Sequence, residues 1–270
     1  MNLLNFVEQY PSEESCKRKW KEIRDKQGVI CPKCGGKLHY WKSDKESYEC
    51  KACGYRQSLR ANTVMHGSWL PFRYWFVAFH LVTSTKKSFS AKELQRQVGH
   101  KYYEPIWAMM HKIRAAMGER DSRYNLSGII ELDEGFFRTE VPDTEKDKPL
   151  KRGRGSQQKT KVLVLAESKP VEDENGKKSK VKPRSVNRVK MFVIEDLKAE
   201  TIVNKVVNNV EKTSIIDSDD LTSYTNLSKI SEYLQNYLNE FCYKFNRRYF
   251  GQRQFERVLV VSATYKKNVR

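Results

Sequence analysis

A chain of 270 residues can bury a sizeable core, with room for a main domain and one or two small ones. Fifty-one lysines and arginines against 33 acids leave a formal net charge of +18, an excess that favours a polyanionic partner. A membrane is not the expected polyanion, because no apolar run approaches the roughly 20 residues of a bilayer span and the N-terminus lacks a signal peptide's apolar core.

Residues 1–27 read as a helical lead-in. Ser12 with Glu13 and Glu14 opens a run in which Cys16, Trp20 and Ile23 recur at helical spacing, with basic residues towards its end. Cys16 fits there as a small buried hydrophobe.

Residues 28–60 carry Cys31-Pro32-Lys33-Cys34-Gly35-Gly36 and Cys50-Lys51-Ala52-Cys53-Gly54, two Cys-x2-Cys knuckles separated by 15 residues. A glycine after each knuckle permits the turn that aims backbone amides at the thiolates. Four thiolates around tetrahedral Zn²⁺ make a closed, structural site. Six unevenly placed cysteines do not make a secreted disulfide scaffold, and a redox dithiol pair is the weaker alternative. The spacer reads as the hairpin of a zinc ribbon, with His39 a hairpin side chain and not a fifth ligand.

Residues 61–122 are helical in pattern. The aromatic-rich stretch 69–80, with Pro71 suited to a first helical turn, reads as core. Ser90-Ala91-Lys92-Glu93 is a capping box, Leu94 and Val98 face inwards, and Gly99 closes the helix. A second helix over 102–117 places Ile106, Met109, Met110, Ile113 and Met117 on one stripe. Short helix, glycine turn and longer helix suggest a helix-turn-helix, with Lys92, Arg96, Lys101, Lys112 and Arg114 as candidate DNA contacts.

Beyond residue 123 the chain alternates strands with one helix. In the segment 128–137, Glu131 and Asp133 fall on one face of a strand, while Ile130, Leu132 and Glu134 fall on the other. Carboxylates in a sheet are costly without a partner, and a divalent cation is one. Residues 139–158 are loop-like and end in basic residues, of which Lys151, Arg152 and Arg154 are further candidate DNA contacts. Strands are expected over 161–167 and 187–194, flanking a charged insertion at 169–188 that reads as a hairpin tip or a disordered tract. A helix over 199–210 and a strand over 213–217 follow, the strand running into Asp217, Asp219 and Asp220. Two acidic strand ends side by side would offer Mg²⁺ or Mn²⁺ an oxygen site for chemistry on nucleic-acid phosphates. At this point the alternative stays open that these acids only cap strands or face solvent. Three strands, a helix and a further strand, with acids on the first and last, is the order of ribonuclease-H-like domains, whose first and fourth strands are neighbours.

Assembled, these residues resemble the DDE-type transposases of bacterial insertion sequences that carry an N-terminal zinc ribbon, the ISXO-like group. The similarity runs from about Asn5 to Phe255. It rests on the ribbon cysteines, the segment 90–117, Glu131-Leu132-Asp133-Glu134, Asp219-Asp220-Leu221-Thr222-Ser223-Tyr224, and Tyr237-Leu238-Asn239-Glu240-Phe241-Cys242-Tyr243-Lys244-Phe245-Asn246-Arg247-Arg248. The resemblance implies a mixed α/β, multi-domain chain: lead-in 1–27, ribbon 28–60, helix-turn-helix-like region 61–122 and ribonuclease-H-like domain 123–258. It implies Asp133 and Asp219 as catalytic carboxylates holding Mg²⁺ or Mn²⁺, with Asp217 as the fallback. It further implies structural Zn²⁺, a homo-oligomer acting on insertion-sequence ends and target DNA, and a bacterial cytoplasmic, nucleoid-associated location.

One departure stands out. In the family several dozen residues, including a histidine-rich strand and the third catalytic residue, separate the second aspartate segment from the Tyr-Leu-x-Glu-Phe helix. Here Tyr224-Thr225-Asn226-Leu227-Ser228-Lys229-Ile230 runs directly into that helix, and no histidine follows His111. Glu232 and Glu240 are the acids left nearby, and neither fits the catalytic position. The expectation is a weakly active or inactive, internally deleted transposase. The alternative is a zinc-ribbon DNA-binding regulator.

Overall fold

The computed structural model describes residues 1–85, 87–138, 159–170, 184–218 and 233–265. They form two compact units, one spanning Met1–Arg120 together with the segment from Arg247 on, the other Asp121–Asn246. The sequence reading carries the second domain on to 258; in the structure the segment after Asn246 joins the first unit.

In that first unit the helical lead-in is two helices, α1 (Leu3–Gln9) and α2 (Glu13–Gln27). Ser12 caps α2 through a capping box with Ser15. The ribbon's strands β1 (His39–Lys42), β2 (Ser47–Cys50) and β3 (Arg56–Ser58) form an antiparallel sheet in that order. The third strand, only three residues and mostly polar, shows no alternation from which to read it. Helix α3 (Phe72–Ser84) buries Phe72, Trp75, Phe76 and Phe79. Pro71, at its N-cap, has no side-chain acceptor to offer. Glu13 of α2 supplies one, its two carboxylate oxygens accepting from the Phe72 and Arg73 amides at 2.8 and 2.9 Å. This places a negative charge on the positive end of the helix and ties α2 to α3.

Helices α4 (Ala91–Val98) and α5 (Tyr103–Ser122) follow the expected cap, with Ser90 Oγ accepting from the Glu93 amide and Gly99 in the left-handed region at φ 68°. Ile106, Met109, Met110, Ile113 and Met117 are all buried, as their spacing requires. After the helix α7 (Leu234–Asn246) of the second unit the chain returns as α8 (Gln254–Thr264), which packs on α2 and α3. Its Phe255 lies edge-on to Phe6 and Phe76, completing an aromatic core with Trp20 and Phe79.

The second unit is a four-stranded sheet ordered β6-β5-β4-β7: β4 (Ile129–Arg138), β5 (Lys159–Pro170), β6 (Arg184–Ile194) and β7 (Ile215–Ser218). β5 runs antiparallel to both of its neighbours, β4 and β6, while β7 runs parallel to β4. A parallel neighbour requires a crossover, and α6 (Ala199–Asn209) provides it. One sheet face, with Ile130, Leu132, Leu163, Leu165 and Ile194, packs with Ile202 of α6. The other, with Val162, Val164, Met191 and Val193, is covered by Leu234 and Leu238 of α7 (Leu234–Asn246). Both strands bordering the charged insertion reach into it, β5 to Pro170 and β6 from Arg184; 171–183 lie outside the described residues.

Candidate metal centre and acidic sheet face

The ligand atoms of Cys31, Cys34, Cys50 and Cys53 lie within 4.8 Å of one another. Sγ–Sγ separations of 3.6 Å (Cys31–Cys53) and 3.5 Å (Cys34–Cys50) approach the edge of about 3.8 Å that a tetrahedron with Zn–S bonds near 2.3 Å requires. Knuckle turns Gly35 N–H to Cys31 carbonyl and Gly54 N–H to Cys50 carbonyl, both 2.9 Å, set the thiols. Gly36 leaves the space: a Cβ there would stand 3.1 Å from Cys50 Sγ and 3.3 Å from Cys34 Sγ.

The electrostatics point the same way. Burial raises the Cys31 thiol, but the Cys34 and Lys33 amides, together with hydrogen bonds from the Cys53 and Cys34 thiols, bring it down to about 7. Cys34, helped by the Gly36 amide but crowded by the three other sulfurs, is pushed up to about 12. One thiolate forms readily and the next is opposed, which is the behaviour of a cluster whose charges need a cation among them. His39 meets Gln57 and lies edge-on to Tyr48, outside the cluster. Among the described residues no other group of three or more histidine, cysteine or acidic side chains gathers closely enough to hold a metal.

Glu131 and Asp133 emerge on the α7 side of the sheet. In the parallel pairing Glu131 stands opposite Asp217. Both carboxylates are engaged: Arg184 Nη1 donates to Asp217 Oδ2 at 2.6 Å and lies 3.5 Å from Glu131 Oε1, while Ser168 Oγ donates to Glu131 at 2.8 Å. The acidic pair holds Arg184 above its ordinary pKa, chiefly through the Asp217 hydrogen bond. Asp133, the next residue on that face, is exposed and accepts from the Glu134 amide at 2.7 Å. A hard oxygen donor in the open suits a divalent cation. Asp219 and Glu232 lie outside the described residues, and Glu240, on α7, is fully buried 3.6 Å from Lys244.

The candidate DNA contacts divide. Lys92, Arg96 and Lys101 are exposed; Arg96 pairs with Glu93 at 2.5 Å, and the Lys101 ammonium lies over the Tyr102 ring. Lys112 is half-buried and donates to the His66 carbonyl at 2.8 Å. Arg114 is corrected: it is fully buried and donates to the Phe89 carbonyl at 3.0 Å, so no duplex reaches it. It lies on the inward side of α5 beside Met110 and Ile113, and its charge made it look like surface. Lys151, Arg152 and Arg154 lie outside the described residues.

The sequence reading gave Asn246 no role beyond membership in the last motif. Its Oδ1 accepts from the Val189 amide at 2.7 Å, and its Nδ2 donates to the Val189 carbonyl and the Tyr124 hydroxyl at 2.9 and 2.8 Å. It therefore fastens the end of α7 to β6 as a strand residue would. An amide at a helix end is the one hint the sequence carries.

Residues 125–232 match the family model of the ISXO2-like transposase domain, and residues 11–56 match that of the transposase zinc-ribbon domain. No curated protein and no solved structure matches the chain. The four-thiol cluster lies inside the matched ribbon, which makes it a structural Zn²⁺ site. The two matched domains make the protein DNA-binding. Among the described residues no helix is long and apolar enough to cross a membrane.

Proposed function

We propose, for a chain that belongs to the ISXO2-like insertion-sequence transposases, that Asp133, on β4, and Asp219, next in sequence after β7, are the catalytic carboxylates of a ribonuclease-H-like domain. The observation that supports this is the parallel register Glu131↔Asp217: Asp133 stands two residues beyond Glu131 on β4, and Asp219 follows Asp217 by two residues in the sequence. Mg²⁺ or Mn²⁺, when bound, would activate a water or DNA 3′-hydroxyl and stabilise the leaving oxygen of a phosphodiester. Asp133 would be one ligand and Asp219 another. Arg184 neutralises Glu131 and Asp217, which lowers the negative field that a phosphate must enter.

Recognition of the element's ends belongs, in this reading, to the zinc ribbon and the helices after it. Exposed Lys92, Arg96 and Lys101 would make phosphate contacts, with Lys151, Arg152 and Arg154 contributing further ones. The protein would act as a homo-oligomer on DNA in the bacterial cytoplasm, associated with the nucleoid.

The third catalytic residue has no counterpart in this sequence, because the residues between Tyr224 and Tyr237 are too few to supply the family's histidine-rich strand. Without a further ligand to fix a second ion, cleavage falls steeply, since stabilisation of the leaving oxygen depends on its position. The test incubates the purified chain with duplexes carrying the element's own ends in Mg²⁺ or Mn²⁺. Binding without cleavage, or with only trace nicking, is expected. Rapid metal-dependent cleavage would overturn the incompleteness, and Glu232 and Glu240 would then be the first residues to substitute.

A further inference from the structure

Trp69 is 99% exposed, an indole standing almost wholly in water. A single exposed apolar side chain is ordinary on a protein surface. This one differs in three respects. Its loop is braced: Arg60 Nη1 donates to the carbonyls on both sides of it, Ser68 at 3.1 Å and Leu70 at 2.5 Å. The Ser68 amide donates to the Met65 carbonyl at 3.0 Å, and Lys112 Nζ holds the His66 carbonyl at 2.8 Å. Arg60 is itself anchored, its guanidinium stacked 4.1 Å over the Phe72 ring. The indole is thus presented by a fixed backbone.

Second, Trp69 borders a cavity of about 380 Å³ with Leu70, Trp75, Tyr102, Pro105 and Met109 among its lining residues. Tyr102, 58% exposed, gives that cavity a second open aromatic ring. Third, the polar groups around it are cationic or neutral. Lys112 and His100 line it, the Lys101 ammonium lies 5.3 Å from the Tyr102 ring centre, and among the described residues no carboxylate belongs to the lining.

We infer that Trp69 and the cavity beside it receive an unpaired nucleobase of the DNA, stacked on the indole while neighbouring lysines hold its phosphates. Open aromatic faces combined with cationic side chains are how proteins hold single strands, because every base has a π-face and every linkage a charge. The volume lies near the lower end of small-ligand sites, enough for one base and its sugar. The net charge of +18 favours a polyanion over an apolar protein surface. The bracing matters because a pre-ordered platform loses little entropy on binding. This inference rests on the DNA-binding reading of the N-terminal unit and adds to it a site for a base outside the duplex.

The test measures the affinity of the full zinc-loaded chain for two probes at one salt concentration, single-stranded oligothymidylate and a fully paired duplex. Trp69→Ala should weaken the single-strand complex about fivefold or more and leave the duplex complex within about twofold, the stacking contribution per base setting the scale. Trp69→Phe should restore most of the loss. Ala108→Phe, at an exposed helix position lining the cavity, should fill it and reproduce the Trp69→Ala defect without touching the loop. Unchanged single-strand affinity in both Trp69→Ala and Ala108→Phe would overturn the inference while leaving duplex binding intact. So would a change of oligomeric state in Trp69→Ala with both DNA affinities preserved, since that would assign the surface to a protein partner. If the unaltered chain bound neither probe, the DNA-binding reading would fall, and this inference with it.

Discussion

At the scale of single residues, chemistry with strict spacing is what a sequence shows best. Cys31, Cys34, Cys50 and Cys53 are legible because a metal knuckle is local, and the structure gathers all four. Arg184 is the opposite case. It sits in a charged tract that composition reads as solvated, yet its guanidinium joins Glu131 and Asp217 from two other strands. Only tertiary placement creates that triad, as it creates the Glu13 cap on α3 and the Asn246 clasp on β6. Arg114 shows the converse error, a basic residue taken for surface that the fold buries. For the ribbon, Cys31→Ser or strong chelation should release one Zn²⁺ per chain and unfold this small sheet, because binding free energy is folding free energy where no core exists. Metal analysis together with the near-ultraviolet signal of Tyr48 and Trp41 checks this; a ribbon that stays folded without metal would contradict it.

At the scale of elements, the strands and helices of the second unit were foreseeable from alternation and helical spacing, with ends displaced by a few residues. β5 and β6 run further into the charged insertion than expected, since backbone pairing continues where side-chain pattern has stopped. β3 and the return of α8 to the first unit were not foreseeable. A three-residue polar strand carries no period, and which domain a terminal helix joins depends on partners distant in sequence, here Phe6 and Phe76. The helices of the first unit also set a pH response. Burial, and secondly the N-terminal ammonium, lowers His80 below its ordinary pKa; burial, and secondly Arg114, lowers His111. A histidine kept neutral in the fold contributes stability that is complete above the unfolded pKa of about 6.5 and is lost as pH falls from there towards the folded value. The melting temperature should therefore drop between pH 7.5 and 5.5. Acid also loosens zinc, so the diagnostic is a difference: His80→Phe, which keeps the ring stacked on Phe6, should show a shallower decline than the unaltered chain. Parallel curves for the two would contradict the assignment to His80.

For the whole molecule, the excess positive charge was legible from composition, and it separates affinity from chemistry. DNA binding should fall steeply with salt, as counterion release requires. It should survive Asp133→Ala, and the double Asp133→Ala, Asp219→Ala variant should bind DNA as tightly as the unaltered chain or tighter, having lost two repelling charges. A large loss of affinity in the double variant, measured by fluorescence anisotropy across a salt series, would show that these acids hold the fold instead. The pairing of β4 with β7 was foreseen from element order alone, whereas no alternation pattern could reveal that Arg184 would occupy the acids one step before Asp133.

The most direct measurement is a Mn²⁺ titration of the zinc-loaded chain followed by electron paramagnetic resonance, beside Asp133→Ala and Asp219→Ala. If the two aspartates form the first half of a metal site, the unaltered chain binds Mn²⁺ weakly, and each variant loses that binding while keeping its zinc. Superimposable titrations for all three proteins would contradict it.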